Sequence, residues 1–196
     1  MNASPENNAC DGASVLLGVT GSIAAYKACE LVREWIRRRA AVHVIMTANA
    51  CEFVTPMTFQ TLSQNPVTVG LFDQIEEWSP GHISLTDRAD VLVIAPATAN
   101  CLAKLAHGLA DDALSSAALA FNGPVVLAPA MNPRMLAHPA TQANLSILRE
   151  RGAVFVEPEE GQLACGYVGQ GRLAALDLII ATVDAVLTEH LTRNAE

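Results

Sequence analysis

Three features of the sequence predict a single-domain α/β fold, a three-layer doubly wound (Rossmann-like, flavodoxin-like) parallel sheet. Short apolar runs rich in β-branched residues alternate with longer amphipathic ones. Within the short runs the apolar residues are consecutive, as in parallel strands covered on both faces. The 196 residues suffice for one domain with a sizeable core.

The elements follow in order. Strands are expected over 15–20, 42–47, 91–95, 125–128 and 154–156. The first helix, from about 22 to 39, has the clearest pattern: Ala24, Ala28, Leu31, Val32, Trp35 and Ile36 form one stripe, and Glu30, Arg33, Glu34 and Arg37 lie elsewhere. Arg37, Arg38 and Arg39 at its end suit the helix dipole. Further helices are expected over 99–107, 112–121, 141–151 and 176–190. Residues 1–13 and 191–196 read as solvated tails around a domain spanning 14–190.

Composition excludes several classes. Hydrophobic residues make up 51% and charged residues 16%, apolar enough to imply further burial between subunits. A net charge of -8 without a long basic run argues against nucleic-acid binding, and any phosphate must be held locally. The longest uncharged stretch, 113–133, is broken by Asn122, Gly123, Pro124, Pro129 and Asn132, so no membrane helix is expected. The N-terminal residues lack a basic-then-apolar signal layout. Five cysteines without a C-x-x-C pair argue against a disulfide framework or a zinc site, leaving a reducing cytoplasm as the natural setting.

In a doubly wound fold, ligands sit at the carboxyl ends of the strands. The first strand ends in Gly18-Val-Thr-Gly21-Ser22-Ile23, which permits close backbone approach at a helix start but is not a G-x-G-x-x-G pattern. The second ends in Thr47-Ala48-Asn49, suited to a phosphate or to a plain N-cap. The third ends in Pro96-Ala97-Thr98-Ala99-Asn100-Cys101, followed by Lys104, and leaves room for a flat ligand. The fourth ends in Ala130-Met131-Asn132-Pro133-Arg134, where an amide or a guanidinium can hold a carboxylate or an Asn can cap a turn. Four polar or glycine-bearing ends along one sheet edge outline a site for a phosphorylated aromatic cofactor.

Two further segments stand apart. His82 precedes the third strand, whereas His43, His107, His138 and His190 read as structural or exposed. Residues 161–172 form an uncharged, glycine-rich loop that carries Cys165 and ends at Arg172, the setting of a working thiol.

Together these segments resemble the flavin-containing cysteine decarboxylase family over residues 14–185. The resemblance rests on Gly21-Ser22-Ile23-Ala24-Ala25-Tyr26-Lys27, His82-Ile83-Ser84-Leu85, Pro96-Ala97-Thr98-Ala99-Asn100, Pro129-Ala130-Met131-Asn132-Pro133-Arg134-Met135 and Leu163-Ala164-Cys165-Gly166. The Leu-Ala-Cys-Gly loop followed by Gly-x-Gly-Arg is similar to the phosphopantothenoylcysteine branch, which serves coenzyme A biosynthesis. Peptidyl-cysteine decarboxylases generally lack that cysteine.

The resemblance implies FMN as cofactor, contacted by Gly21, Ser22 and Ile23 and by Thr47, Ala48 and Asn49, with its ring bracketed by Thr98, Ala99, Asn100 and Cys101 near Ala130. It further implies a catalytic base in His82, a carboxylate holder in Asn132, a proton donor in Cys165, and substrate contacts from Gln162, Leu163 and Ala164. The implied reaction is decarboxylation of a phosphorylated cysteinyl substrate through a thioaldehyde and an enethiolate. The implied partners are further copies of the chain, as a trimer or an assembly of trimers, and a separate or fused phosphopantothenate–cysteine ligase. Two alternatives stay open: an oxidative peptidyl-cysteine decarboxylase that stops at the enethiol, and a non-catalytic flavin-binding regulatory subunit. The chain departs from the family pattern at Leu136 (often Trp), Tyr167 (often Asp), Cys101 (often Thr) and Thr98 (often Ser).

Overall fold

The computed structural model describes residues 9–71, 85–162 and 168–194. His82, Leu163, Ala164, Cys165 and Tyr167 therefore lie outside the described residues.

Six parallel strands form the sheet: β1 (Ser14–Val19), β2 (Ala41–Met46), β3 (Val67–Thr68), β4 (Val91–Ala97), β5 (Val125–Pro129) and β6 (Val154–Phe155). Their order is β3-β2-β1-β4-β5-β6, the Rossmann-type order of the doubly wound class. The direction of winding reverses between β1 and β4, which pair from Val15↔Val91 to Gly18↔Ile94.

Strand pleating sorts the consecutive apolar residues into two cores. Val15, Leu17, Val44, Val93 and Val126 face one side, where they meet Leu31, Val32 and Trp35 of α1 (Ala25–Arg37). Ile179, Val183 and Leu187 of α8 (Leu176–Asn194) complete that layer. Leu16, Ile45, Leu92, Ile94 and Leu127 face the other side. There they meet α4 (Ala99–His107), α5 (Ala113–Ala120) and α7 (Pro139–Glu150) through Leu102, Leu114 and Leu145. Gly18 sits under α5, where a Cβ would lie 2.5 Å from Leu114 Cδ1, so the missing side chain sets how closely α5 approaches the sheet.

Several elements differ from the sequence-based expectation. The first helix begins at Ala25, because residues 22–24 form a turn in which Ser22 Oγ accepts from the Ala24 amide at 3.3 Å. The helix start expected at Thr47-Ala48-Asn49 is α2 (Ala48–Cys51), whereas α3 (Pro56–Ser63) and α6 (Pro133–Leu136) had no counterpart, because four to eight residues are too few for a readable helical period. β3 is two residues long, carries little pattern and also had no counterpart, whereas β6 falls within the strand expected over 154–156. The flanks of the glycine-rich loop form an antiparallel hairpin, β7 (Glu159–Gln162) and β8 (Val168–Arg172). Its register is set by backbone pairing, with few side chains to signal it in the sequence.

The chain just before β1 is not a solvated tail: Cys10 is fully buried and donates to Asp184 Oδ1 of α8 at 3.0 Å. α8 likewise runs to Asn194, past the expected end at 190. Among the described residues, no helix is long and apolar enough to cross a membrane.

Candidate functional site

Strand ends at a reversal of winding diverge and leave a crevice. Here the crevice is a cavity of about 410 Å³, within the range of ~300–1,000 Å³ usual for small-molecule sites. Thr20 and Gly21 line it after β1, Thr47, Ala48 and Asn49 after β2, and Thr98, Ala99, Asn100 and Cys101 after β4. Lys104, Asp112, Leu114, Ser115 and Met135 complete the wall.

Thr20, which is 1% exposed, ties the two central strand ends together. Its hydroxyl donates to Pro96 O at 2.7 Å and accepts from the Thr98 amide at 3.0 Å. Thr98 in turn caps α4 by accepting from Cys101 N at 3.3 Å. Across the crevice, Gly21 faces Asn49 so closely that a Cβ would lie 2.5 Å from Asn49 Cβ and 3.0 Å from its carbonyl carbon. Glycine is therefore dictated by the approach of α2, independently of any ligand.

The polar groups of the wall are unequal. Thr47 Oγ1 is buried without a hydrogen-bond partner among the described residues, a cost that a ligand acceptor or donor at that point would remove. The Cys101 thiol is pushed up to about 12 by burial and by the nearby Asp112, so it lines the cavity as a neutral group. Lys104 Nζ bridges Asp111 and Asp112 at 2.6 Å each. Burial raises the Asp112 carboxyl, but hydrogen bonds from Lys104 and Ser115 outweigh it and hold the group below its ordinary range. Both groups are thus charged at neutral pH.

Eight of the sequence-predicted cofactor residues meet in this one cavity: Gly21, Thr47, Ala48, Asn49, Thr98, Ala99, Asn100 and Cys101. Three do not line it. Ser22 caps its own turn, Ile23 is 58% exposed, and Ala130 is buried in the core cluster on the α1 side of the sheet. Asn132 caps α6, its Oδ1 accepting from Arg134 N at 2.9 Å. Gln162 ends β7 opposite Val168. The β7–β8 hairpin is seated on the turn that bears Asn132, because Met131 N donates to Gly171 O at 3.0 Å. Residues Thr20, Asp112, Leu114, Ser115 and Met135 were not anticipated. The readable signal for two of them was the Asp112-x-x-Ser115 spacing of a capping box.

An apolar groove of about 320 Å³ opens at the amino ends of β5 and β6, beside Pro124, Val125, Gly152 and Ala153. It adjoins the strand-end cavity along α4 and α5, with Lys104 and Ser115 lining both. Among the described residues no group of three or more His, Cys, Asp and Glu could hold a metal ion.

Comparison with known proteins agrees with this geometry. A coenzyme A biosynthesis bifunctional protein, CoaBC, of Bacillus subtilis (strain 168) is 46% identical over 183 residues, covering 93% of this chain and 45% of that protein. The chain therefore spans less than half the length of the CoaBC relatives it matches. A Streptococcus mutans protein named "Probable phosphopantothenoylcysteine decarboxylase" is 43% identical, with 88% of this chain and 98% of that protein covered. Among solved structures, the FMN-dependent cysteine decarboxylase SpaF superposes with a TM-score of 0.81 at 34% identity, covering 93% of this chain and 99% of that one. A PPC decarboxylase variant complexed with pantothenoylaminoethenethiol superposes with a TM-score of 0.78 at 33% identity, covering 89% of this chain and 97% of that one. Residues 3–188 match the family described as Flavoprotein, a span that contains every strand of the sheet and every wall of the cavity, and the chain belongs to that family.

Proposed function

We propose that the chain binds FMN in the strand-end cavity and decarboxylates 4′-phospho-N-pantothenoylcysteine to 4′-phosphopantetheine, a step of coenzyme A biosynthesis. The observation that carries this reading is the buried, unpartnered Thr47 hydroxyl in a cavity built from four strand-end and helix-start segments. A polar orphan costs about 1–3 kcal/mol unless a ligand satisfies it, so this wall suits a polar group such as a phosphate or a ribityl hydroxyl. Small residues at 99 and 101 and the short side chain of Thr98 leave width for a flat ring. The names of relatives at 43–47% identity, and of two solved neighbours above 30%, support the same chemistry.

Bound FMN supplies the two-electron sink and source that a cysteinyl carboxylate needs in order to lose CO₂ without net oxidation. The chain's own residues do the rest. Asn132, oriented by its cap on α6, holds the substrate carboxylate through its amide N–H. His82 removes the proton in the oxidative half, and Cys165 returns one to the enethiolate. Gln162, Leu163 and Ala164 contact substrate from the segment joining β7 to β8. Ser22, Ile23 and Ala130, which do not line the cavity, are assigned to the cofactor by the family resemblance alone.

The working unit in this reading is a trimer or an assembly of trimers in the cytoplasm. Ile23, Tyr26 and Met57, which are 58%, 59% and 65% exposed, are the apolar groups such contacts would cover. A phosphopantothenate–cysteine ligase, separate or fused, supplies the substrate.

The deciding assay is CO₂ release from 4′-phosphopantothenoylcysteine with FMN-loaded protein and no added oxidant. The expected product is the saturated thiol over many turnovers. Accumulation of the enethiol at one equivalent per flavin would instead favour an oxidative decarboxylase, and FMN uptake without CO₂ release would favour a non-catalytic flavin subunit.

A further inference from the structure

Among the described residues that line the strand-end cavity, two carry charge: Lys104 and Asp112. They are bonded to each other, Nζ to Oδ2 at 2.6 Å, with side chains 18% and 29% exposed. The two oxygens of Asp112 have separate tasks. Oδ1 accepts from Ser115 N at 2.8 Å and from Ser115 Oγ at 2.9 Å and so caps α5, while Oδ2 receives Lys104. Lys104 lies one turn beyond Cys101 on α4, so its ammonium stands behind the helix start that forms one wall of the cavity. Its other partner, Asp111, is 67% exposed, and water and salt screen that charge far more than the charge of Asp112.

We propose that Lys104 and Asp112 are the electrostatic setting of the flavin site, an opposed pair whose balance fixes how strongly the cavity prefers reduced over oxidised FMN. The inference rests on the FMN reading above. Two-electron reduction at neutral pH leaves a flavin ring with added negative charge. A nearby cation stabilises that form and a nearby carboxylate opposes it, in a partly desolvated wall where neither is fully screened. Removing one member therefore leaves the other uncompensated, and the two removals must act in opposite directions.

The test uses holoprotein reconstituted with FMN, with the midpoint potential read by spectroelectrochemistry and the affinity for oxidised FMN by fluorescence quenching. Lys104→Met is expected to move the potential to more negative values, by at least a tenfold change in the ratio of reduced to oxidised affinity, ~30 mV for a two-electron couple. Asp112→Asn is expected to move it to more positive values by a similar factor. Asn remains a good N-cap, so that substitution removes charge and keeps the cap on α5. The double variant is expected to return close to the parent. A merely structural clamp would shift both single variants the same way or neither, and that result overturns the inference. Should Lys104→Met fail to retain FMN, Asp112→Asn decides alone, and an unchanged or lower potential overturns it. A parent protein that takes up no FMN overturns the cofactor reading and this inference together; a yellow parent with unmoved potentials overturns the inference alone.

Discussion

Thr47 sits at the end of β2 with its amide donating to Val19 O at 3.0 Å and its hydroxyl buried and unpartnered. A side chain kept at such a cost in the free protein predicts a trade. Thr47→Val removes the orphan hydroxyl at constant shape, so the FMN-free protein is expected to gain about 1 kcal/mol, or ~2–4 °C in melting temperature. The same change is expected to weaken FMN binding about tenfold or more, because the ligand loses its partner. Calorimetry with and without FMN checks both halves, and a variant that loses stability while keeping affinity would remove Thr47 from the site. The cysteines make a second residue-scale case. Burial, then the hydrogen bond to Asp184, pushes the Cys10 thiol up to about 12, and burial does the same to Cys101. Neither offers thiolate at neutral pH. Iodoacetamide at pH 7.5 is expected to leave both unmodified in the folded protein and to label them in urea, read by peptide mass spectrometry. Rapid labelling of Cys101 in the folded state would mean that its helix start opens to solvent.

At the scale of elements, the hairpin β7–β8 shows how a loop is held with little side-chain packing. Gly171 has a φ of 147°, and a Cβ there would overlap the carbonyl oxygen of Met131, whose own amide donates to Gly171 O at 3.0 Å. Gly169 lies against Pro133, where a Cβ would come within 3.0 Å of Cγ. The hairpin therefore rests backbone against backbone on the turn that bears Asn132. Gly171→Ala is expected to unseat it, both by overlap and by conformational strain. Hydrogen exchange should rise in residues 159–162 and 168–172 while the six-stranded sheet stays protected. Protection equal to the parent across both would show that the hairpin needs no such seat. α1 and α8 are joined differently, by charge: Arg38 reaches Glu34 Oε1 and Asp184 Oδ2 at 2.7 Å each.

That charge link has a consequence for the whole molecule. Hydrogen bonds from Arg37 and Arg38 lower the Glu34 carboxyl from 4.5 to about 2. A carboxyl lowered on folding adds stability above its unfolded value and loses it as pH falls through the folded value. The melting temperature should therefore decline between pH 4.5 and about 2, and less steeply in Arg38→Met, where one of the two guanidinium partners is gone. Equal slopes would exclude Glu34 as a contributor to acid unfolding. Assembly is the other whole-molecule expectation. Under the proposed trimer, light scattering gives at least three times the 20.7 kDa of one chain. Met57→Glu, placing a charge on a side chain that is 65% exposed, should shift that mass toward the monomer without lowering the helix content. A fully active monomer would refute the assembly.

The fold and most of the candidate site were legible in the sequence for a local reason. A parallel strand covered on both faces must be apolar throughout, and the residues that follow it must serve the strand end, so consecutive runs such as those at 91–95 and 125–128 mark both the sheet and its functional edge. Gly21, Thr47, Asn49, Thr98 and Asn100 were found this way because each lies within a few residues of a strand end. Tertiary structure decided what distance along the chain conceals. Thr20 joins β1 to β4 across 76 residues, and Lys104 meets Asp112 between two helices. Cys10, read as tail, is buried because Asp184 lies 174 residues away beside it. Ile23 and Ala130, near the site in sequence, turn toward solvent and toward the opposite core, because one position of rotation in a turn or one step along a pleated strand reverses the face a side chain meets.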